Sequence, residues 1–299
     1  MQLPEIRGQY RENFDLSQVT WFRVGGPAEV LFKPADEDDL AQFLKQKPKD
    51  IPHIVIGVGS NLLVRDGGVP GVVIRLGREF AKIEEAADYT IIAGAGALDL
   101  NVAEFAAQAC IGGLEFLCGI PGTIGGALFM NAGAYGNEIK DVLVWAEGVD
   151  AEGNLRRLSP EECGFTYRHS AVPEGFIFTR ACLKGLAKPE SDIRARMAEI
   201  AAQRESTQPV RSRTGGSTFA NPENNKAWAL IDEAGGRGLE LGGAKISELH
   251  CNFLINTGNA TAAELEGLGE EVRRRVKEKS GIELRWEIQR IGQRIGKPL

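Results

Sequence analysis

The chain has 299 residues, 43% of them hydrophobic and 25% charged, with a formal net charge of −6; this is the make-up of an ordinary globular protein of two or three domains with ample core. The acidic balance gives no bulk attraction to nucleic acid, and no run approaches the roughly 18 apolar residues of a membrane span. Five scattered cysteines without a CxxC pair argue against a disulfide framework, and three histidines without a Cys/His cluster argue against a bound metal.

The N-terminal stretch "MQLPEIRGQYRENFDLSQVTWF" is polar and lacks an apolar signal-peptide segment, so the expectation is a cytoplasmic protein with reduced thiols. "WFRVGGPAEVLFKP" (21–34) reads as strand, Gly-Gly turn, strand. "DEDDLAQFLKQ" places acidic residues ahead of Leu40, Phe43 and Leu44 at helical spacing, which predicts a short helix with a favourable N-terminal charge. The β-branched runs "HIVIG" and "GVVIRL" predict two strands, as do "TIIAGAG", "VLVWAEGVD" and "GFIFTRACLKGL". "LDLNVAEFAAQACI" (98–111) is an amphipathic helix. "SDIRARMAEIAAQRES" is a charged helix for which Ser191 is the expected cap. A basic, polar loop, "TQPVRSRTGGSTFANP", precedes a helix in "NKAWALIDEAGGRG" that stops at glycine. A strand, "NFLIN", a long Thr-capped helix from "TAAELEGLGEEVRRRVKEKSG" and a terminal strand in "IELRWEIQRIG" complete the chain. The sum is an α+β protein with soft boundaries near Gly77 and around Pro209.

Two glycine-rich stretches stand out. "GVGSN" (57–61) follows a hydrophobic run as a dinucleotide turn would, yet the next residues, "LLVRDGGVPGVVIRL", leave no room for a helix before the next strand. A Rossmann βαβ unit needs that helix to receive the pyrophosphate, so it is disfavoured. Gly57, Gly59, Ser60 and Asn61 can still expose several backbone N–H groups to an anion; on this stretch alone a hairpin turn is the slightly favoured reading. "GIPGTIGGALFMNAGAYG" (119–136) is too long and too apolar for one turn. Backbone passing close to a large flat ligand uses small residues in this way, and so does a tightly packed buried loop. The two segments together favour a bound dinucleotide.

"GVGSNLLVRD", "GIPGTIGGALFMNAGAYG", "YRHS", "GGSTFANP" and "ELRWEIQRIG" occur in the order found in UDP-N-acetylenolpyruvoylglucosamine reductases, and the chain resembles that family from about Trp21 to Gly292. The first two motifs are shared more loosely with the wider vanillyl-alcohol-oxidase-like (PCMH-type) class of FAD-binding folds. The resemblance implies two FAD-binding subdomains, 1–77 (with a terminal strand, 284–299, packing back onto it) and 78–206, and an α+β substrate-binding domain, 207–283. It implies FAD and NADPH as cofactors and a monomer acting on a small-molecule UDP-sugar enolpyruvyl ether, with no nucleic-acid or membrane partner. NADPH reduces the flavin and leaves, and the enolpyruvyl ether then binds in its place and becomes a lactyl ether. The flavin residues so implied are Gly57, Gly59, Ser60, Asn61 and Leu62 around the pyrophosphate, with Gly119, Pro121, Gly122, Thr123, Gly126, Asn131 and Gly133 lining the remainder.

Reduction of such an ether adds hydride to the terminal vinyl carbon, and negative charge builds beside the carboxylate until a proton arrives. By resemblance Ser217 is the proton donor, and Arg168 and Glu287 are the charge-stabilising pair; Asn221, Arg237 and His250 hold substrate. A guanidinium suits a carboxylate because it binds it at two points. Taken alone, Ser217 reads as a turn-capping serine, Arg168 as a surface ion-pair partner and Glu287 as an edge-strand charge. Ala220 stands where the family often has lysine, and the short span from Arg168 to Ser217 matches the shorter subclass, which lacks a tyrosine-bearing loop. The alternative is an oxidase of the same FAD-binding fold, which shares the glycine segments but leaves the last three motifs unexplained.

Overall fold

The computed structural model describes residues 2–295. Among the described residues the chain forms two compact units, one of residues 2–11, 31–57 and 71–203, the other of residues 12–30, 58–70 and 204–295.

In the first unit a five-stranded antiparallel sheet runs in the order Leu155–Leu158, Leu143–Val149, Ile177–Lys184, Thr90–Gly94, Ile83–Ala86. Its apolar face joins the helices Asp99–Gln108 and Ile124–Met130 in one core that includes Ile91, Val102, Leu117, Leu128 and Leu183. The strand His53–Ile56 runs parallel to Val72–Arg75, with His53 opposite Val72. The helix Glu37–Gln46 forms where its acidic start predicts, capped by the Asp36 carboxylate accepting from the Asp39 N–H. Its Phe43 is fully buried against Phe32, with ring centroids 4.5 Å apart; burying such a ring is worth about 2–3 kcal/mol.

The second unit is built on the helix Ala262–Ser280. Thr261 and Glu264 form its capping box, the Asp66 carboxylate accepts from the Ala262 and Ala263 N–H groups, and Gly281 ends it in the left-handed region. Leu265, Leu268, Val272 and Val276 recur at helical spacing and pack with Phe22, Leu63, Phe219 and Ile231. A three-stranded antiparallel sheet of Glu240–Leu241, Ala244–Ile246 and Leu254–Asn256 and the helix Ala227–Glu233 complete this core. The strand Gln289–Ile291 runs parallel to Leu62–Val64, with Gln289 opposite Leu62.

Three sequence expectations differ from the structure. The strand expected over Trp21–Val24 does not form: Arg23 has positive φ, and the segment turns so that the Trp21 N–H reaches the Gly59 carbonyl and, past it, the Gly26 N–H the Arg65 carbonyl. Ser191 does not cap its helix; the helix already begins at Glu190. The terminal strand is shorter than its alternation suggests. Ahead of Gln289–Ile291 the chain makes only an isolated bridge between Trp286 and Phe219, and the Trp286 indole lies against Gly269 and donates to Glu270. Residues 296–299 of the expected 284–299 segment lie outside the described residues.

Candidate active site

The hydrophobic strand His53–Ile56 feeds the first glycine turn, and the chain then enters the strand Leu62–Val64 with no intervening helix; the glycine turn is therefore not of the Rossmann kind. At Gly57 a Cβ would lie 2.8 Å from the Thr123 Oγ1, so residue 57 is bare where the two glycine segments approach. Gly59 has φ +69° and its backbone abuts the Val19 carbonyl, which only glycine tolerates without strain. Asn61 donates from Nδ2 to the Glu287 carbonyl and accepts the Gln289 N–H on its own carbonyl.

The second segment is ordered by Ala95–Asp99. The Asp99 N–H donates to the Gly122 carbonyl, and the Ile124 and Gly125 N–H groups donate to Ala97 and Ala95. From Thr123 the chain enters the short helix Ile124–Met130, which ends at Asn131 with φ +42°. A helix over "IGGALFM" escapes sequence reading because two glycines weaken its propensity; the bonds to Ala95 and Ala97 supply the order. Asn131 is fully buried and joins three pieces of chain: Nδ2 donates to Glu138 and to the Thr166 carbonyl, and Oδ1 accepts the Lys140 N–H. The Thr166 carbonyl belongs to the tight turn Thr166–His169, which carries Arg168 at φ +57°. The Arg168 guanidinium lies over Tyr167 and donates from Nη2 to the Gly133 carbonyl at 3.0 Å. Asn131, Gly133 and Arg168 thus form one assembly.

In the second unit the loop that carries Ser217 is gripped on both sides. Ser217 bridges Phe253, and Phe219 bridges Trp286. The Thr218 carbonyl accepts the Glu287 N–H at 2.8 Å, and the Ala220 N–H donates to the Arg285 carbonyl. Ser217 and Glu287 therefore sit on adjoining strips of chain, with Asn61 bonded to the outer one. The adjacent Gly215 backbone lies against the Phe22 ring, where no side chain fits. Ala220 is buried, so its methyl faces core rather than solvent.

The remaining polar candidates have protein partners. The Arg237 guanidinium pairs at two points with the Asp232 carboxylate and also donates to the Glu248 carbonyl; an anionic ligand there meets an arginine already neutralised. Asn221 Oδ1 accepts the Ala227 N–H at the start of its helix. His250 accepts the Asn252 N–H on Nδ1, which fixes the neutral tautomer that carries its proton on Nε2. Burial, with the nearby Arg237 charge, pushes this imidazole below its ordinary pKa. Asn252, which the sequence reading missed, is 4% exposed and holds Phe219 through both backbone groups. Its one sequence signal is a polar residue directly ahead of the apolar run "FLI".

Residues 208–291 match the model for the C-terminal domain of UDP-N-acetylenolpyruvoylglucosamine reductase, and residues 28–159 match an FAD binding domain. The UDP-N-acetylenolpyruvoylglucosamine reductase of Paramagnetospirillum magneticum is 63% identical over 292 residues, 98% of this chain and 95% of that protein. The chain belongs to the UDP-N-acetylenolpyruvoylglucosamine reductase family. The enzyme of that name from Azorhizobium caulinodans is 62% identical over 97% of this chain and 94% of its own. The crystal structure of UDP-N-acetylenolpyruvylglucosamine reductase from Thermus caldophilus superposes with a TM-score of 0.81 at 38% identity, covering 96% of this chain and 99% of that one.

The family fold is α+β with an FAD-binding part. The residues present in this reductase fit FAD: the bare backbone at Gly57 beside Thr123 and the exposed Gly126, where a Cβ would meet nothing closer than the Thr123 Oγ1 at 3.7 Å, leave room for close approach of a flat, phosphate-bearing ligand. None of the five cysteines is in a disulfide, and Cys163, Cys182 and Cys251 are buried. No helix among the described residues is long and apolar enough to cross a membrane.

Proposed function

We propose that this reductase uses NADPH and FAD to convert the enolpyruvyl ether of UDP-N-acetylglucosamine to UDP-N-acetylmuramate, a step in making peptidoglycan precursors, and that it does so as a cytoplasmic monomer. Family membership over nearly the whole chain carries the activity. FAD, when bound, takes hydride from NADPH and supplies it to the terminal vinyl carbon. Gly57, Gly59, Ser60, Asn61 and Leu62 take its pyrophosphate, and Gly119, Pro121, Gly122, Thr123, Gly126, Asn131 and Gly133 line its remainder. Residues 1–77 and 78–206 are the flavin-binding parts, and 207–283 take the substrate.

The residues of this chain then manage charge and one proton. Arg168 pairs with the substrate carboxylate as negative charge develops. Ser217 gives its hydroxyl proton to the carbon beside that carboxylate, completing addition of hydride and proton across the double bond. Glu287, held next to the Ser217 strip by its N–H bond to Thr218, stabilises the developing enolate with Arg168. His250, with Nε2–H as donor, and the Nδ2 of Asn221 hold the UDP-sugar, as does Arg237 if it exchanges Asp232 for phosphate. Between Arg168 and Ser217 the chain is taken up by the strand Ile177–Lys184, the short strand Leu186–Ala187 and the helix Glu190–Thr207, which supports the shorter subclass.

The test is Ser217→Ala in separated half-reactions. Flavin reduction by NADPH should be unchanged, and reoxidation by the enolpyruvyl UDP-sugar should slow by about 10²–10⁴-fold. Equal loss in both half-reactions would remove Ser217 from the proton step. Rapid reoxidation of the reduced wild type by air alone would favour an oxidase instead.

A further inference from the structure

The hydrogen bonds around Ser217 point to a residue with no part in the family motifs quoted above. Asn252 is 4% exposed and aims both ends of its amide at one neighbour: Oδ1 accepts the Phe219 N–H at 2.9 Å, and Nδ2 donates to the Phe219 carbonyl at 2.8 Å. Its own carbonyl accepts the Thr218 N–H at 2.7 Å. Thr218, 1% exposed, accepts the Leu254 N–H on Oγ1, and its carbonyl accepts the Glu287 N–H. On its other side the Asn252 N–H ends on His250 Nδ1. Every backbone polar group of Thr218 and Phe219 named here is thus met either by Asn252 or by the terminal strip, and Ser217 is the next residue along. A side-chain amide donates and accepts in this geometry without charge at any pH.

We propose that Asn252 is a positioning residue for the proton step: its amide fixes the Thr218–Phe219 backbone, and through it where the Ser217 hydroxyl stands relative to Glu287. This rests on the assignment of Ser217 as proton donor. A buried doubly bonded amide costs little to keep once both bonds are made and much to break. A shift of a reacting group by about 1 Å costs on the order of 100-fold in rate. The clamp holds the strips that carry Ser217 and Glu287, so disturbing it should affect reoxidation by substrate and leave reduction by NADPH alone.

The substitution that separates positioning from plain structural loss is Asn252→Asp. As a carboxylate it still accepts from the Phe219 N–H but faces the Phe219 carbonyl with charge instead of a donor. Once protonated it has the shape and the donor of the amide. The titratable and charged groups of its own strip and of those packed against it are His250, Cys251, Arg285 and Glu287; all are present in the wild type too, so the informative quantity is the variant-to-wild-type ratio at each pH. The experiment is stopped-flow measurement of both half-reactions on the FAD-loaded full chain, for wild type, Asn252→Asp and Asn252→Leu, between pH 5.5 and 8.5. Expected at high pH is reoxidation of Asn252→Asp slowed about 10- to 100-fold, with flavin reduction within about twofold of wild type. The ratio should climb toward one as pH falls, while Asn252→Leu stays slow throughout.

Wild-type reoxidation in Asn252→Asp at high pH, equal slowing of both half-reactions, or slowing without recovery at low pH would each overturn the proposal. If Asn252→Asp does not fold, Thr218→Val carries the test. Slower reoxidation with unchanged reduction supports the clamp, and an unchanged reoxidation rate overturns it. Ser217→Ala measured alongside keeps the two claims apart. If it reoxidises normally, the proton-donor assignment fails by itself, whereas normal reoxidation of Asn252→Asp beside a slow Ser217→Ala rejects only the clamp.

Discussion

Glu266 offers a stability test whose size follows from the coordinates. It lies on the buried face of the helix Ala262–Ser280 at 4% exposure. Arg65 meets it at two points, Nε at 3.0 Å and Nη2 at 2.9 Å; Arg290 and Arg294 donate to the same carboxylate at 3.1 and 3.0 Å. Burial alone would raise its pKa, but the hydrogen bonds and charges of Arg65 and Arg294 outweigh that and hold it at about 2, against an ordinary 4.5. A depressed carboxylate stabilises the fold above its unfolded pKa, and that contribution fades as pH falls from about 4.5 toward 2. At about 1.4 kcal/mol per pH unit the shift is worth about 3 kcal/mol at neutral pH. Arg294 is half exposed, and solvent screening brings the expectation to about 2 kcal/mol. Glu266→Gln keeps the shape and removes the charge. Urea unfolding followed by circular dichroism should show the variant about 2 kcal/mol less stable at pH 7, with the gap narrowing below pH 4.5. A gap that is absent at pH 7, or one that keeps its size down to pH 3, would refute the reasoning.

Other outcomes follow from the same physics. Asp99 is fully exposed to neither solvent nor partner: its side chain is 0% exposed, neither carboxylate oxygen has a hydrogen bond, and burial holds its pKa well above 3.8 despite the neighbouring Gly122 backbone. A raised folded pKa means stability is lost as pH climbs above the unfolded value, by about 1.4 kcal/mol per unit within that window. Asp99→Asn should therefore be more stable than wild type at pH 7 and equal to it near pH 4; a less stable variant at pH 7 would show that the acid has a partner. Asp39 is the converse case, accepting from the Arg7, Gly8 and Ala35 N–H groups. Asp39→Ala leaves three donors unmet and should cost about 2–4 kcal/mol in thermal or chemical unfolding; a loss under 1 kcal/mol would contradict this. Gly57→Ala places a methyl against the Thr123 hydroxyl, the mobile end of a side chain, so the fold should survive and FAD affinity should fall. Fluorescence titration of apoprotein reads it, and an unchanged Kd would take Gly57 out of the flavin cradle.

Elements whose order is written locally were legible in the sequence. The Asp36-capped helix Glu37–Gln46 and the helix from Ala262 to Ser280, bounded by Thr261 and Gly281, carry their own start and stop signals. The strands Thr90–Gly94, Leu143–Val149 and Ile177–Lys184 carry β-branched apolar runs. What failed depends on distant partners. Trp21–Gly26 has strand-like residues but spends its backbone donors on Gly59 and Arg65. Ile124–Met130 is helical against its glycines because Ala95 and Ala97 hold its first turn. The motifs named Ser217, Arg168 and Glu287, yet nothing local told that Asp232 would occupy Arg237, that Asn221 would bond the start of a helix, or that Asn252 would hold the backbone beside Ser217. Those are pairings across the fold, and a single sequence does not spell them out.

The most direct test of the central claim is the visible spectrum of the purified protein, kept anaerobic while NADPH and then the enolpyruvyl UDP-sugar are added. The account predicts a yellow protein with an FAD spectrum that bleaches with NADPH and regains its colour only when the UDP-sugar arrives. A protein that is colourless and takes up no added FAD, or a reduced flavin that this substrate leaves bleached, would contradict it.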